Sequence, residues 1–262
     1  MSITSVSGQL VHYEAFGRGK PVIFVHGWLG SWRYWWSTMQ ALSNHHRSFA
    51  VDLWGFGDSS KTVGDFTLES HLGMLEGFID ELGIARPFTL VGHSLGAALA
   101  LRYAKETPGS VNRIATIAMP ITRDHVNGQL VGRTAASLID QSKNRFSSFP
   151  EVVMGLEKAD AAAIDQSVGQ IDRLTLAEDL LAVECPVLLV FGARDTLIKQ
   201  PDGELDKERQ DGINRRCVSL EKCGHFPMLE QPAVFNRLLK EFIDHSDPSN
   251  VEPKNYWQRR TR

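Results

Sequence analysis

The sequence predicts an α/β fold: a mainly parallel, eight-stranded sheet with helices on both faces, interrupted by one helical insertion. Three observations carry this. Short, continuously apolar runs, typical of strands buried on both faces, alternate with helical patterns along most of the 262 residues. The alternation breaks once, between Met119-Pro120 and Cys185-Pro186, where no strand pattern occurs. Polar, chemistry-bearing residues (His26, Ser94, Asp195 and His225) stand just after the carboxyl ends of predicted strands, where parallel sheets bind ligands.

Residues 6–16 alternate around Gly8 and stop at Gly17-Arg18-Gly19, the pattern of an edge hairpin. Further strands are predicted at 22–25, 49–51, 88–91, 114–118, 187–191 and 217–220. Helices are predicted at 34–42, 68–82, 99–104 and 234–243. Trp32, Trp35 and Trp36 recur at helical spacing beside Tyr34, which predicts aromatic bulk packed on the sheet. Residues 121–184 read as several short helices punctuated by Gly128, Pro150, Gly155 and Gly169, inserted into a core made of 1–120 and 185–245. This insertion is rich in apolar residues such as Val126, Leu130, Val131, Phe146 and Phe149. The tail, 246–262, is polar with a basic end; its composition predicts disorder, or docking through Tyr256 and Trp257.

Bulk properties exclude several classes of function. With 42% hydrophobic and 23% charged residues and a net charge of −3, nothing favours nucleic acid or an anionic membrane as partner. No apolar run approaches the roughly 18 residues of a membrane span. Residues 1–12 lack the basic start and apolar centre of a secretory signal, so a cytoplasmic location is expected. Cys185, Cys217 and Cys223 sit in no redox or zinc spacing and are expected to be reduced thiols. Gly55-Phe56-Gly57 lacks the context of a dinucleotide loop, and no phosphate loop or His-Glu-x-x-His metal motif occurs. No cofactor and no metal are expected.

The run Gly92-His93-Ser94-Leu95-Gly96 joins an apolar strand to a helical pattern. A turn this tight forces its apex residue into strained backbone, and side chains two residues to either side would collide, hence the glycines. Such a turn lifts the serine hydroxyl clear of the sheet and aims the next N–H, that of Leu95, at the same space. Together with His26-Gly27-Trp28, Asp52-Leu53-Trp54-Gly55-Phe56-Gly57-Asp58-Ser59, and Gly192-Ala193-Arg194-Asp195 followed by Gly224-His225-Phe226, this run resembles the α/β-hydrolase superfamily with a serine nucleophile. The resemblance spans roughly residues 10–245 and implies that the insertion at 121–184 is a small helical cap over the active site, its apolar residues divided between packing the cap and lining a pocket.

That resemblance implies a catalytic order of serine, acid, histidine along the chain. Ser94 is then the nucleophile. Among nine histidines, His225 is the base, because it follows the last strand and precedes the closing helix. Asp195 is the expected acid, with Asp124 as rival since some relatives place the acid one strand earlier. The backbone N–H groups of Trp28 and Leu95 form the oxyanion hole, and His26, Trp28, Met119 and Phe226 are candidate pocket residues. Asp52 is read as a loop brace and His93 as structural; His45, His46, His71 and His245 are read as surface residues. The implied activity is hydrolysis of a small-molecule carboxylic ester. A serine at the apex argues against the relatives that use aspartate there. Three alternatives stay open: a cofactor-free haloperoxidase or perhydrolase, a carbon–carbon hydrolase using Arg123, His125 or Arg133, and a binding module.

Overall fold

In the sheet, Ser2–Val6 (β1) and Gln9–Gly17 (β2) form an antiparallel hairpin that turns at Ser7-Gly8. The other six strands run parallel to one another: Lys20–Val25 (β3), His46–Val51 (β4), Phe88–His93 (β5), Val111–Ile117 (β6), Val187–Gly192 (β7) and Arg215–Leu220 (β8). Their order is β1-β2-β4-β3-β5-β6-β7-β8, eight strands with the hairpin at one edge. The computed structural model describes residues 2–28, 30–130, 133–170, 175–201, 215–245 and 251–254. The continuous apolar runs are the buried ones, with β5 and β7 covered along their whole length.

The chain passes from β4, on one side of β3, to β5 on the other. This reversal opens a crevice beyond the carboxyl ends of β3 and β5, the standard ligand position in open parallel sheets. His26-Gly27-Trp28 leaves β3 there, and Ser94 leaves β5.

A 3-10 turn at Trp32–Trp35 leads into Trp36–Leu42 (α1). Trp35 is fully buried against Phe24, as expected of packed aromatic bulk, whereas Trp36 stays partly exposed beside Phe16. Leu68–Glu81 (α2) starts at Thr67, whose hydroxyl accepts from the Ser70 N–H. Leu95–Glu106 (α3) starts four residues before the expected 99, directly at the elbow, because the small residues from Gly96 to Ala98 let it lie against the sheet. Pro227–Glu230 (α8) and Pro232–Asp244 (α9) close the core; α9 buries Val234, Phe235, Leu238, Leu239, Phe242 and Ile243 on one stripe.

Two histidines expected at the surface are buried. His71 stands on the inward row of α2 with Leu68, Leu72 and Leu75, so its position on the helix overrides its polarity. His46 opens β4 beneath the end of α9, where its Nε2 lies 2.7 Å from Asp244 Oδ1. His45 and His245 are exposed, as expected.

Within 121–184 the described elements are 3-10 turns at Arg123–His125 and Gly128–Leu130, then Ala135–Arg145 (α4), Pro150–Glu157 (α5), Ala161–Gly169 (α6) and Leu176–Ala182 (α7). Helix α4 packs on both α5 and α6. By contrast α7 lies on α3, where Asp179 accepts from Arg102 Nε and Lys105 Nζ, each at 2.6 Å. Pro150 opens α5 at its first turn, as predicted, but Gly155 lies inside that helix. It is there for contact: a Cβ on Gly155 would lie 3.0 Å from the Gly30 carbonyl carbon. The stretch from Lys158 to Gln170 is stapled to the loop after β4. Asp58 takes both Arg33 and Lys158, the Asp160 N–H donates to Gly55 O at 2.7 Å, and Gln166 and Gln170 accept from the Phe66 and Leu68 N–H groups.

Val131 lies outside the described residues, as do Tyr256 and Trp257. Of the tail, 251–254 runs along the core: Val251 is buried, its carbonyl accepts from Arg216, and Lys254 pairs with Glu241. Cys185, Cys217 and Cys223 form no disulfide among the described residues. Among the described residues no helix is long and apolar enough to cross a membrane.

Candidate active site

Ser94 adopts φ 52° and ψ −113°, a conformation that a non-glycine residue takes only at a cost of about 1–3 kcal/mol. The glycines that allow it are fixed by contact. A Cβ on Gly92 would lie 2.1 Å from Gly96 O, and one on Gly96 would lie 2.3 Å from Val25 O. The turn is anchored by the Ser94 N–H, which donates to Ile117 O at 2.8 Å. Leu95 is the first residue of α3, so its N–H has no acceptor within the helix and is available at the elbow.

The turn after β3 lies directly against the serine. A Cβ on Gly27 would come within 2.9 Å of Ser94 Cβ, so the backbone of this turn packs on the elbow. Gly30 N–H closes this turn onto Gly27 O at 3.0 Å. His26 braces it from below: its Nε2 accepts from the Leu53 N–H at 3.0 Å and its Nδ1–H donates to Gly27 O at 2.7 Å. Burial drives the His26 pKa down against the pull of Asp52, keeping the ring neutral. Both its nitrogens are thus spent on backbone, and His26 supports the loop instead of facing a pocket.

His225 follows β8 and donates from Nδ1 to Asp195 Oδ2 at 2.8 Å. A carboxylate can only accept, so the proton is on Nδ1 and Nε2 is left as the basic atom. Asp195 spends its other oxygen on the Leu197 and Ile198 N–H groups, at 2.8 and 3.2 Å. Burial pushes the Asp195 pKa up, and the His225 ring together with the two amides more than reverses this, so it stays ionised. The rival, Asp124, is exposed on the turn at 123–125. The His225 ring stands 4.6 Å from that of His93, the residue before Ser94, so the elbow and the base loop touch.

A family model for the alpha/beta hydrolase fold matches residues 20–163. That is more than half of the sequence. The chain belongs to the α/β-hydrolase fold family. A pimeloyl-(acyl-carrier protein) methyl ester esterase of Aeromonas salmonicida is 28% identical to it over 262 residues, covering 89% of this chain and 99% of that protein. A hydrolase from Pseudomonas aeruginosa superposes with a TM-score of 0.79 at 20% identity, over 93% of this chain and 98% of the other. An enol-lactonase from Burkholderia xenovorans does so with a TM-score of 0.77 at 19% identity, over 93% and 100%. At such identities the two structures speak for the fold.

This α/β-hydrolase uses Asp52 as the expected brace. Its carboxylate accepts from the Trp32 and Asp58 N–H groups and meets His12 Nδ1 at 2.9 Å. His12, Asp52 and Asp58 bring potential ligand atoms within 4.8 Å of one another, but Arg33 and Lys158 already pair with Asp58 and backbone amides with Asp52. Of the candidate pocket residues, Trp28 is almost buried, and Met119 and Phe226 are fully so. Phe226 serves as a packing hub, its ring 4.9 Å from Phe146 of the cap and 5.0 Å from His93.

Sequence reasoning missed Glu230. Its two oxygens accept from the Gly224 and Phe226 N–H groups at 2.6 and 2.9 Å, clamping the loop on both sides of His225. The available signal was an acid in the first turn of a helix, free to reach back to the N-cap amide. Ala118, after β6, has φ 48° and no such signal.

Proposed function

We propose that the chain is a serine hydrolase that cleaves carboxylic esters of small to medium acyl chain through an acyl-enzyme on Ser94. The observation that carries this reading is the Asp195–His225 hydrogen bond, which leaves Nε2 as the basic atom of a ring that packs on His93, the neighbour of a serine held at φ 52°. A hydroxyl needs such a base to attack at neutral pH. Ser94 Oγ adds to the ester carbonyl while Nε2 takes its proton. The resulting oxyanion accepts from the N–H groups of Trp28 and Leu95. Collapse breaks the acyl–oxygen bond, and the imidazolium, steadied by Asp195, returns the proton to the leaving alcohol. Water then attacks the acyl-enzyme by the same route, releasing the acid and restoring Ser94. Both oxyanion donors are backbone groups, each of a kind worth about 10²–10³ in turnover, so side-chain replacement at 28 or 95 does not delete them.

The Aeromonas relative is by name a pimeloyl-(acyl-carrier protein) methyl ester esterase, which supports a carboxylic ester as the bond cleaved. The size range follows from the roof. Helix α5 rests on the turn at Gly30, and Phe146 and Phe149 pack on Phe226, so the cap is seated on the site at two places. A seated roof suits an enclosed pocket better than an open lipid groove. Across nitrophenyl esters from acetyl to palmitoyl, kcat/KM is expected to fall beyond medium length, with no jump at a lipid–water interface. A preference for emulsified long-chain triglycerides would overturn the size assignment. Peracid formation in acetate, or cleavage of ring-fission diketones in preference to any ester, would move the activity to another branch of the family.

A further inference from the structure

Three loops must hold one spacing for acylation at Ser94: the turn after β3, the elbow after β5 and the loop after β8. Each hangs from a different strand, and a single hydrogen-bonded chain joins them. The Gly27 N–H donates to Tyr34 Oη at 2.6 Å. Tyr34 Oη lies 3.1 Å from His93 Nδ1, and His93 Nε2 lies 2.8 Å from the His225 carbonyl oxygen.

Proton positions follow by elimination. The His225 carbonyl can only accept, so His93 carries its proton on Nε2. A neutral imidazole has one N–H, which leaves Nδ1 bare and the Tyr34 hydroxyl donating to it. The remaining lone pair of Tyr34 Oη then receives the Gly27 N–H. This arrangement requires His93 to be neutral. Complete burial, with the His225 ring alongside, pushes its pKa well below the ordinary value. Burial also holds Tyr34 in its protonated form. Packing fixes the Tyr34 ring as well: a Cβ on Gly30 would lie 2.0 Å from Tyr34 Cε1, and Phe226 meets the ring at 5.9 Å.

Resting on the serine-hydrolase reading above, we infer that Tyr34 and His93 are positioning residues for the reaction, locking oxyanion turn, nucleophile elbow and base loop into one register without touching substrate. The competing reading is that the pair only satisfies buried polar atoms, in which case its loss costs stability and leaves the folded enzyme's chemistry unchanged.

Tyr34→Phe removes one oxygen and keeps the ring. It frees the Gly27 N–H and so loosens Trp28, a donor whose complete loss is worth about 10²–10³. The expected result is a kcat lowered ~10-fold or more, with KM within about twofold, since the interaction matters in the transition state. Affinity for a trifluoromethyl ketone, which forms a tetrahedral adduct, should fall by the same factor as kcat/KM. His93→Gln should lower kcat similarly, and the double variant should be no worse than the poorer single, because both break one chain. A wild-type enzyme that hydrolyses esters through Ser94, beside a folded Tyr34→Phe with unchanged kcat and ketone affinity, overturns this inference and leaves the reading intact. A wild-type protein without labelling or turnover at Ser94 overturns both. If Tyr34→Phe does not fold, nitrogen NMR of the wild-type histidines decides. His93 should show the Nε2–H tautomer, unchanged between about pH 5 and 9. A proton on Nδ1, or titration of His93 in that range, refutes the chain.

Discussion

Replacing His71 by leucine should make the protein less sensitive to acid, by an amount the structure allows one to work out. The ring is completely buried on α2, 6.4 Å from Phe56, and neither nitrogen has a hydrogen-bond partner among the described residues. Burial, aided by the nearby His26, pushes its pKa from 6.5 down to about 3. The unfolded chain therefore binds this proton more tightly than the native one. Stability is at full strength above pH 6.5 and is lost as the pH falls towards 3. Between pH 7 and pH 5 the loss from this group alone is about 2 kcal/mol, at 1.36 kcal/mol per pKa unit. His26 and His93 share the direction of shift, so wild-type acid sensitivity by itself would not isolate His71. Subtraction does. Urea unfolding of wild type and His71→Leu at both pH values gives two stability differences, and these should differ by about 2 kcal/mol. Leucine suits the inward row occupied by Leu68, Leu72 and Leu75, so the variant should also be the more stable at pH 7. A stability difference that does not change between the two pH values would refute the reasoning and mean that the buried ring has partners that keep its pKa ordinary.

Asp195→Asn should lower turnover by about 10⁴-fold with the fold intact, through loss of the correct His225 tautomer, whereas Asp124→Asn should be nearly silent; steady-state kinetics with a short nitrophenyl ester distinguishes them. The opposite ranking would make the Gly192–Asp195 loop a mere turn. Gly155→Val places bulk against the Gly30 backbone, so turnover should fall about 10-fold or more while circular dichroism stays unchanged. Unaltered turnover would mean that the oxyanion turn does not depend on where α5 sits.

The sequence made the elbow legible because its geometry is a steric requirement, and steric requirements are written in residue types. Gly92 and Gly96 face backbone atoms that no side chain could approach. The central strands were legible for a similar reason, since burial on both faces leaves unbroken apolar runs. What stayed hidden depends on partners supplied by distant segments. Tyr34 looked like one more aromatic in a helical run, yet its hydroxyl works with His93, 59 residues away. Gly155 looked like punctuation because its partner, Gly30, lies in another part of the chain. His46 and His71 were misjudged by polarity, although the spacing from Leu68 to Leu75 already turned His71 inward. The early start of α3 followed from close packing on the sheet, which a hydrophobic period beginning at Leu99 does not reveal.

Active-site labelling tests the central claim most directly. A fluorophosphonate should modify the wild-type protein once per chain, at Ser94, as read by intact mass and peptide mapping. Ser94→Ala should fold, resist the label and drop to the residual hydrolysis that binding and oxyanion donors provide. His225→Ala should match that loss, and the double variant should add nothing, because nucleophile and base act as one unit. Labelling at another residue, or near wild-type ester turnover in Ser94→Ala, would contradict the account.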